Sequence, residues 1–357
     1  MKKFFKAFFT IVFLAALAAG AGLTYLTLNE YNPADVEDVN VYGSTTKPVA
    51  PGDTISVFTY NIGYGADDAN HDFFMDGGKT VTTESSENIT ANVEGIIDTI
   101  YAANADVNFL QEVDTNSKRS YNIDEANLIA TAFPEFNSAY ATNFKCKYIP
   151  YPITDNIGMV NAGIQTISRL YTDSTAKRIA LPVAFSWPVR TCQMKRCLLV
   201  ERVPLTDSQK ELVLINLHLE AYDSSGEGKA AQYKELVEVM KKEFSKGNYV
   251  IAGGDFNSVL PSVDTSKYPL KNTEYFEPAV ISTSMLTGGW KYCTDDSVPS
   301  SRLLNEPFDP ESENTQYYVI DGFICSPNTI VDTVMTIDTQ FKYSDHNPVM
   351  AKVTLVK

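Results

Sequence analysis

Eight apolar runs rich in β-branched and aromatic residues recur along this chain, and they constrain its fold more than any other feature. Such runs are typical of strands buried in a sheet. Two segments between them, 89–100 and 233–244, carry apolar residues at helical spacing. Strands and helices alternate at first and strands dominate later, which predicts an α/β domain of large sheets covered by helices. The eight runs are 55–60, 107–110, 163–168, 198–203, 212–219, 249–252, 317–324 and 349–356.

These patterns continue to the C-terminus without a break in composition, so we predict one domain over residues 53–357. Residues 31–52 are polar and contain Pro33, Pro48 and Pro51, which indicates a polar linker. The domain therefore follows a tether of about twenty residues.

The first thirty residues differ in kind from the rest. Three lysines open the chain, and residues 7–28 then carry no charge over a length that, as a helix, crosses roughly 30 Å of hydrocarbon. Two alternatives are open for residues 1–30. Ala19-Gly20-Ala21 would suit a cleaved signal, which gives a secreted protein. The uninterrupted stretch favours a membrane anchor, with the lysines in the cytoplasm and the domain outside.

The formal net charge of −15 repels polyphosphates at long range and argues against a non-specific nucleic-acid coat protein. A phosphate substrate remains compatible with this charge, because a bound cation reverses the local field. Among five cysteines there is no zinc-type pair spacing. Cys192 and Cys197 flank a short polar stretch and are either bridged in an oxidising compartment or unpaired and buried.

Polar side chains able to bind a metal or move a proton stand at the ends of the apolar runs or interrupt them. Because strand ends at one edge of a sheet form a shared rim, we expect these side chains to converge. Each one alone is also explained as a turn former or a hydrogen-bonded core residue. That explanation would have to hold at six separate places, so we favour one site. The residues are Asn61, Glu112, His218, Asp255, Asn257, Asp321, Asp345 and His346.

The ligand types indicate a hard cation. Carboxylates such as Glu112 and Asp345, with amide oxygens nearby, suit Mg²⁺, with Mn²⁺ or Ca²⁺ as alternatives, and the thiolate and imidazole sets that zinc prefers are lacking. His346 adjoins Asp345, which suggests a base beside a metal ligand, and Asp321 is available to orient its imidazole.

Six segments, in this order, resemble the endonuclease/exonuclease/phosphatase superfamily, which includes deoxyribonucleases, apurinic-site endonucleases, neutral sphingomyelinases and inositol polyphosphate 5-phosphatases. The resemblance covers the chain from about Thr54 onward. It implies a four-layered α/β sandwich in which two mostly antiparallel sheets pack face to face with helices outside. The segments are TYNIG from Thr59, FLQEVD from Phe109, INLHLEAY from Ile215, GGDFNS from Gly253, VIDGFIC from Val319 and YSDHNPV from Tyr343.

The resemblance also implies a metal site. Glu112 would be the principal ligand, Asn61 would support it, and Asp345 would act at the metal or in the hydrogen bonds of the pocket.

For the reacting groups, the resemblance implies that Asp255 and Asn257 hold the nucleophilic water and a phosphate oxygen. His218 would donate to the phosphate or the leaving oxygen. His346, oriented by Asp321, would act as general base or as a cationic phosphate contact. In deoxyribonuclease-like members a carboxylate steadies the residue that matches His218, and residues 145–159 offer no identifiable equivalent.

The resulting hypothesis is a metal-dependent hydrolase of phosphodiester bonds outside the cytoplasm. Nucleic acid is the nearest analogy, because His218 matches the deoxyribonuclease and sphingomyelinase members. A phospholipid is the alternative, since a tether would hold the site near head groups and Trp290, Tyr292 and Phe308 lie in a long loop. An inositol-phosphate phosphatase and a catalytically dead, membrane-tethered binding protein are less favoured. No obligate protein partner is indicated.

Overall fold

The computed structural model describes residues 1–223, 225–271 and 273–357. The α-helices in these ranges are α1 Lys2–Leu28, α2 Ser86–Ala103, α3 Glu125–Ala132 and α4 Glu227–Ser245. The strands are β1 Val36–Tyr42, β2 Thr54–Asn61, β3 Val107–Asp114, β4 Asn137–Ile149, β5 Gly158–Ser168, β6 Thr175–Ala180, β7 Cys197–Pro204, β8 Glu211–His218, β9 Tyr249–Asp255, β10 Ser258–Val259, β11 Ala279–Val280, β12 Lys291–Cys293, β13 Ser301–Arg302, β14 Tyr317–Tyr318, β15 Asp321–Cys325, β16 Thr329–Thr336 and β17 Val349–Leu355.

The predicted strands and helices are present. Each of the eight apolar runs lies in strand, with 317–324 divided between β14 and β15, and the two helical segments lie in α2 and α4. Strands β1, β4, β6 and β16 were not predicted. β1 and β16 lie half exposed or more along most of their length, so neither needs a continuous apolar run.

Thirteen strands form one continuous mixed sheet, and this corrects the prediction of two separate sheets. β1 is the reason, because it pairs antiparallel with β4 on one side and with β6 on the other. Residues 31–52, predicted as a polar linker, therefore include a central strand. The order is β12-β15-β9-β8-β7-β6-β1-β4-β5-β3-β2-β17-β16.

The two halves of this sheet nevertheless pack face to face. Val57 and Phe109 from the β2–β3 half share one buried cluster with Leu214, Ile251 and Phe323 from the β8–β9 half. All five are fully buried, and each such side chain stabilises the fold by about 1.5–3 kcal/mol. The α/β class is thus confirmed, and the sheet is single rather than double.

Helices cover the two outer faces. Ile96 of α2 and Ile129 of α3 pack on Phe58 and Leu110 of the first half. On the second half, residues of α4 pack in one cluster with residues of β8 and β9. The α2 helix begins at the Ser85 cap, whose side chain accepts a hydrogen bond from Asn88 N.

Two parallel strand pairs direct their C-terminal ends to one rim. β2 pairs with β3, and β8 pairs with β9. In register, His218 faces Asp255 across β8 and β9, and Asp321 faces Asp255 across β15 and β9. This places polar side chains from distant parts of the chain side by side.

Helix α1 stands apart from the layers. It has a mean hydropathy of 2.1 over its most apolar window, and none of that window is buried. By length and composition it is able to cross a membrane or to act as a signal segment.

None of the five cysteines forms a disulfide. Cys192 Sγ lies 3.8 Å from Cys146 Sγ, whereas Cys197 is fully buried beneath β6 and β4. The structure thus shows the unpaired alternative of the sequence analysis, and Cys146 is the thiol that contacts Cys192.

Candidate active site

All eight residues singled out in the sequence lie together. Six of them line one cavity with a volume of about 620 Å³: Glu112, His218, Asp255, Asn257, Asp345 and His346. The other two contact these six directly. Asn61 Nδ2 donates to Asp255 Oδ2 at 3.1 Å, and Asp321 Oδ2 lies 2.8 Å from His346 Nδ1.

A buried carboxylate orients His346. Asp321 Oδ2 accepts from His346 Nδ1 and from Ser300 Oγ, the latter at 2.8 Å, and this fixes both side chains. Burial alone would lower the pKa of His346, but the charges of Asp321, Asp345 and Asp255 outweigh it and raise the pKa well above its ordinary value. The imidazole therefore carries a positive charge at neutral pH, with Nε2 directed toward Asp255 and Asp345.

Asp255 is held by amides. The backbone N–H of Asn257 donates to Asp255 Oδ1 at 2.8 Å, and Asn61 Nδ2 donates to Oδ2. Asn257 has a positive φ of 46°, and its side chain donates to Leu219 O at 2.9 Å. Burial, and then the charge of Asp321, raise the pKa of Asp255 to about 6. This value suits a group that accepts a proton near neutral pH.

A bulge directs Glu112 into the cavity. The register between β3 and β5 shifts between Leu110 and Val113, and Glu112 has a positive φ of 56°. Bulges of this kind re-aim a side chain and are frequent beside active sites.

Glu112 and Asp345 form an acidic cluster with Asp67. Burial, and then the charges of Asp345 and Asp67, raise the pKa of Glu112 to about 8. Burial raises the pKa of Asp345 to about 7, against the opposing charge of His346, and the charge of Asp67 adds to the increase. Buried carboxylates that repel one another are unfavourable unless a cation joins them, and their oxygens suit a hard divalent ion. The residues thus fit a metal site.

The pKa of His218 is shifted in the opposite direction to that of His346. Burial, and then the charges of Arg196 and His346, lower its pKa well below the ordinary value. Its Nε2 lies 3.5 Å from Asp255 Oδ2 and 3.7 Å from Glu112 Oε1, and its buried Nδ1 has no hydrogen-bond partner among the described residues. The ring is therefore neutral and able to donate through Nε2–H.

Among the described residues, no carboxylate accepts a hydrogen bond from His218 Nδ1, and none from residues 145–159 lies beside the ring. Asp155, which supplies the acidic side chain of residues 145–159, faces Lys118 at 3.5 Å on the surface. The space near His218 holds Arg196 instead, whose Nη1 donates to His218 O at 3.2 Å.

Sequence reasoning missed Asp67 and three arginines that line the cavity. Arg119 makes a two-pronged ion pair with Asp114, Arg196 pairs with Glu220, and Arg302 donates to backbone carbonyls. All three place guanidinium groups at the lining of the cavity. All of them come from loops or short strands rather than from the ends of long apolar runs, so the pattern that identified the other residues did not include them.

Comparison of the sequence with protein-family models and with curated proteins finds no match. Structural comparison does find matches. An endonuclease/exonuclease/phosphatase from Beutenbergia cavernae DSM 12333 superposes with a TM-score of 0.58 at 15% identity, over 85% of this chain and 72% of that one. The chain has the endonuclease/exonuclease/phosphatase fold. This confirms the resemblance drawn from the six motifs.

Two TDP2 structures show a similar likeness to this fold. TDP2 from C. elegans matches with a TM-score of 0.50 at 15% identity, over 85% of this chain and 76% of that one. D. rerio TDP2, solved with a single-strand DNA product, has a TM-score of 0.50 at 14% identity, over 84% of this chain and 98% of that one. Likeness at this identity establishes the fold, so arguments about chemistry come from the site itself.

Proposed function

We propose that this protein is a divalent-metal-dependent phosphoesterase that cleaves a phosphodiester by attack of water on phosphorus, outside the cytoplasm. One observation carries the proposal. Glu112 and Asp345, two largely buried carboxylates that repel each other, open into the same cavity as Asp255 and the His346–Asp321 pair. A fold gains no stability from such a cluster, whereas cation-assisted hydrolysis requires one.

In this proposal Glu112 is the principal metal ligand, with Asp345 and Asn61 in support. The all-oxygen set favours Mg²⁺, with Mn²⁺ and Ca²⁺ as alternatives. When bound, the cation supplies Lewis acidity that stabilises negative charge on the phosphate oxygens.

Asp255 accepts the proton of the attacking water in this mechanism, because its pKa is near neutrality and Asn61 and Asn257 hold its oxygens in place. The high pKa of His346 favours the second of its two expected roles, a cationic contact to a phosphate oxygen. His218, neutral and donating from Nε2, is placed to assist the leaving oxygen.

Hydrolysis of bis-p-nitrophenyl phosphate by the full chain in lipid nanodiscs tests the function. We expect turnover with Mg²⁺, none after chelation, and a loss on the order of 10³-fold in Glu112→Gln. Glu201→Gln is the control, because Glu201 is a buried carboxylate that does not line the cavity. Turnover that persists in chelator, or equal losses in the two variants, would reject the metal mechanism.

A further inference from the structure

The cavity that holds the acidic cluster has a second, apolar end. Leu23 and Leu26 of helix α1 line it together with Phe144, Ile149 and Val189. Leu26 also packs against the buried side chains of Ile149 and Cys146. A segment with the composition of a membrane anchor is therefore also a wall of the cavity.

Polar contacts fix the C-terminal end of α1 on the domain. The Glu30 carboxylate, only 3% exposed, lies 2.9 Å from Lys195 Nζ and 3.3 Å from Arg190 Nε. Trp187 Nε1 donates to Thr27 Oγ1 at 3.0 Å. The buried Glu30 carboxylate thus pairs with one buried and one half-exposed cation, which orients the end of the helix against the domain.

Exposed apolar side chains surround the same region. Tyr148, Tyr151 and Ile153 belong to β4 and the connection that follows it, and Trp187 and Val189 lie beside the end of α1. They are 45% to 89% exposed. Tyr and Trp next to a membrane-spanning helix are typical of the membrane–water interface. With α1 in a bilayer, these side chains place the cavity mouth at the lipid surface.

We propose that helix α1 forms part of the substrate site, and that the substrate is a lipid phosphodiester. Its apolar chain would lie between α1 and the Phe144–Ile149 wall, and its phosphate would lie at Glu112 and His346. This inference rests on the proposed phosphoesterase function and names its substrate class. A nucleic acid fits less well, because it would place charged phosphates along Leu23, Leu26 and Ile149 without compensating hydrogen bonds.

A series of p-nitrophenyl alkyl phosphodiesters with methyl, butyl and octyl groups tests the apolar end. The scissile bond and leaving group stay constant while the chain grows. In full-length protein in nanodiscs we expect kcat/KM to rise at least tenfold from methyl to octyl, well below the limit of about fourfold per buried methylene.

Two α1 variants distinguish the role of this helix as a wall of the cavity from its role as a membrane anchor. Leu26→Trp fills the apolar end and is expected to abolish the rise of kcat/KM from the methyl to the octyl ester. Leu17→Trp makes the same substitution earlier in α1, at a residue outside the cavity lining, and should keep the rise with chain length.

The outcomes are distinct. Failure to hydrolyse any ester would reject the proposed function. Methyl-ester hydrolysis with no dependence on chain length, or a Leu26→Trp enzyme that keeps the dependence, would reject the lipid inference and leave the function intact. A single-stranded DNA oligonucleotide cleaved with a higher kcat/KM than the octyl ester would reassign the substrate to nucleic acid.

Discussion

The cavity has an acidic end, here called the deep end, and a mouth beside the end of α1, and the two differ from ordinary packing in opposite ways. At the deep end, Asp255 is buried and Glu112 and Asp345 are largely buried, and burial raises the pKa of each carboxyl group. At the mouth, Tyr151 and Val189 line the cavity and are largely apolar and exposed. Buried charges and exposed apolar clusters both reduce stability in water, and both are found where a ligand or surface completes the structure. The deep end is complementary to a cation and a phosphate, and the mouth to hydrocarbon.

Glu112→Gln should change activity and stability more than any other substitution considered at the deep end. Beyond its catalytic loss, we expect the variant to be more stable than wild type in chelator, by about 1 kcal/mol or more at pH 8. The folded pKa of about 8 exceeds the unfolded value, so the wild type loses stability as pH rises from about 4.5 to 8. Denaturant unfolding across this range measures the difference. A variant less stable than wild type at pH 8 would show that Glu112 supports the fold.

Asp321→Asn should reduce kcat by about 10- to 10²-fold, because it loosens His346. It also removes the charge that raises the pKa of His346 most, so this pKa falls. If protonated His346 is the active form, the alkaline limb of the pH–rate profile moves to lower pH. A neutral base would instead shift the acidic limb to lower pH. Asp295→Asn, on a loop outside the cavity, serves as control and should change neither limb.

Trp187→Phe should alter only the binding of apolar chains at the mouth of the cavity. It removes the hydrogen bond to Thr27, worth about 1 kcal/mol, and frees the end of α1. We expect a two- to fivefold lower kcat/KM for the octyl ester and no change for the methyl ester. Thr27→Val should reproduce the effect, and the double variant should add nothing, since both remove one bond. Additive losses would show that the two side chains act separately.

Glu201→Gln should leave the hydrolysis of both the methyl and the octyl ester unchanged. Burial raises the pKa of Glu201 to about 8, so wild-type stability falls as pH rises from about 4.5 to 8. The variant removes this dependence and is expected to gain up to about 3 kcal/mol at pH 7. Unfolding in denaturant at pH 5 and pH 7 measures the gain. A measurable loss of hydrolysis would connect this part of the core to the cavity.

Local signals predicted the strands and helices that bury continuous apolar runs, such as β3, β8 and α2. They also identified the site residues from Asn61 to His346, because the recurrence of polar groups at six apolar strands is visible in the sequence without any contact. The same signals missed β1, whose alternating polar side chains resemble a tether. They missed Asp67 and Arg302 as well, whose local sequence is that of ordinary loops.

The sequence by itself determined the α/β class, the apolar N-terminal helix and the set of polar groups available for chemistry, since these depend on residue type and short-range periodicity. The tertiary structure alone decided that β1 would join two halves into one sheet, that a bulge would turn Glu112 inward, and that Leu26 would line the same cavity as His346. Those features depend on contacts between residues far apart in the chain. Such contacts arise from how whole surfaces fit together, and no short stretch of sequence contains that information.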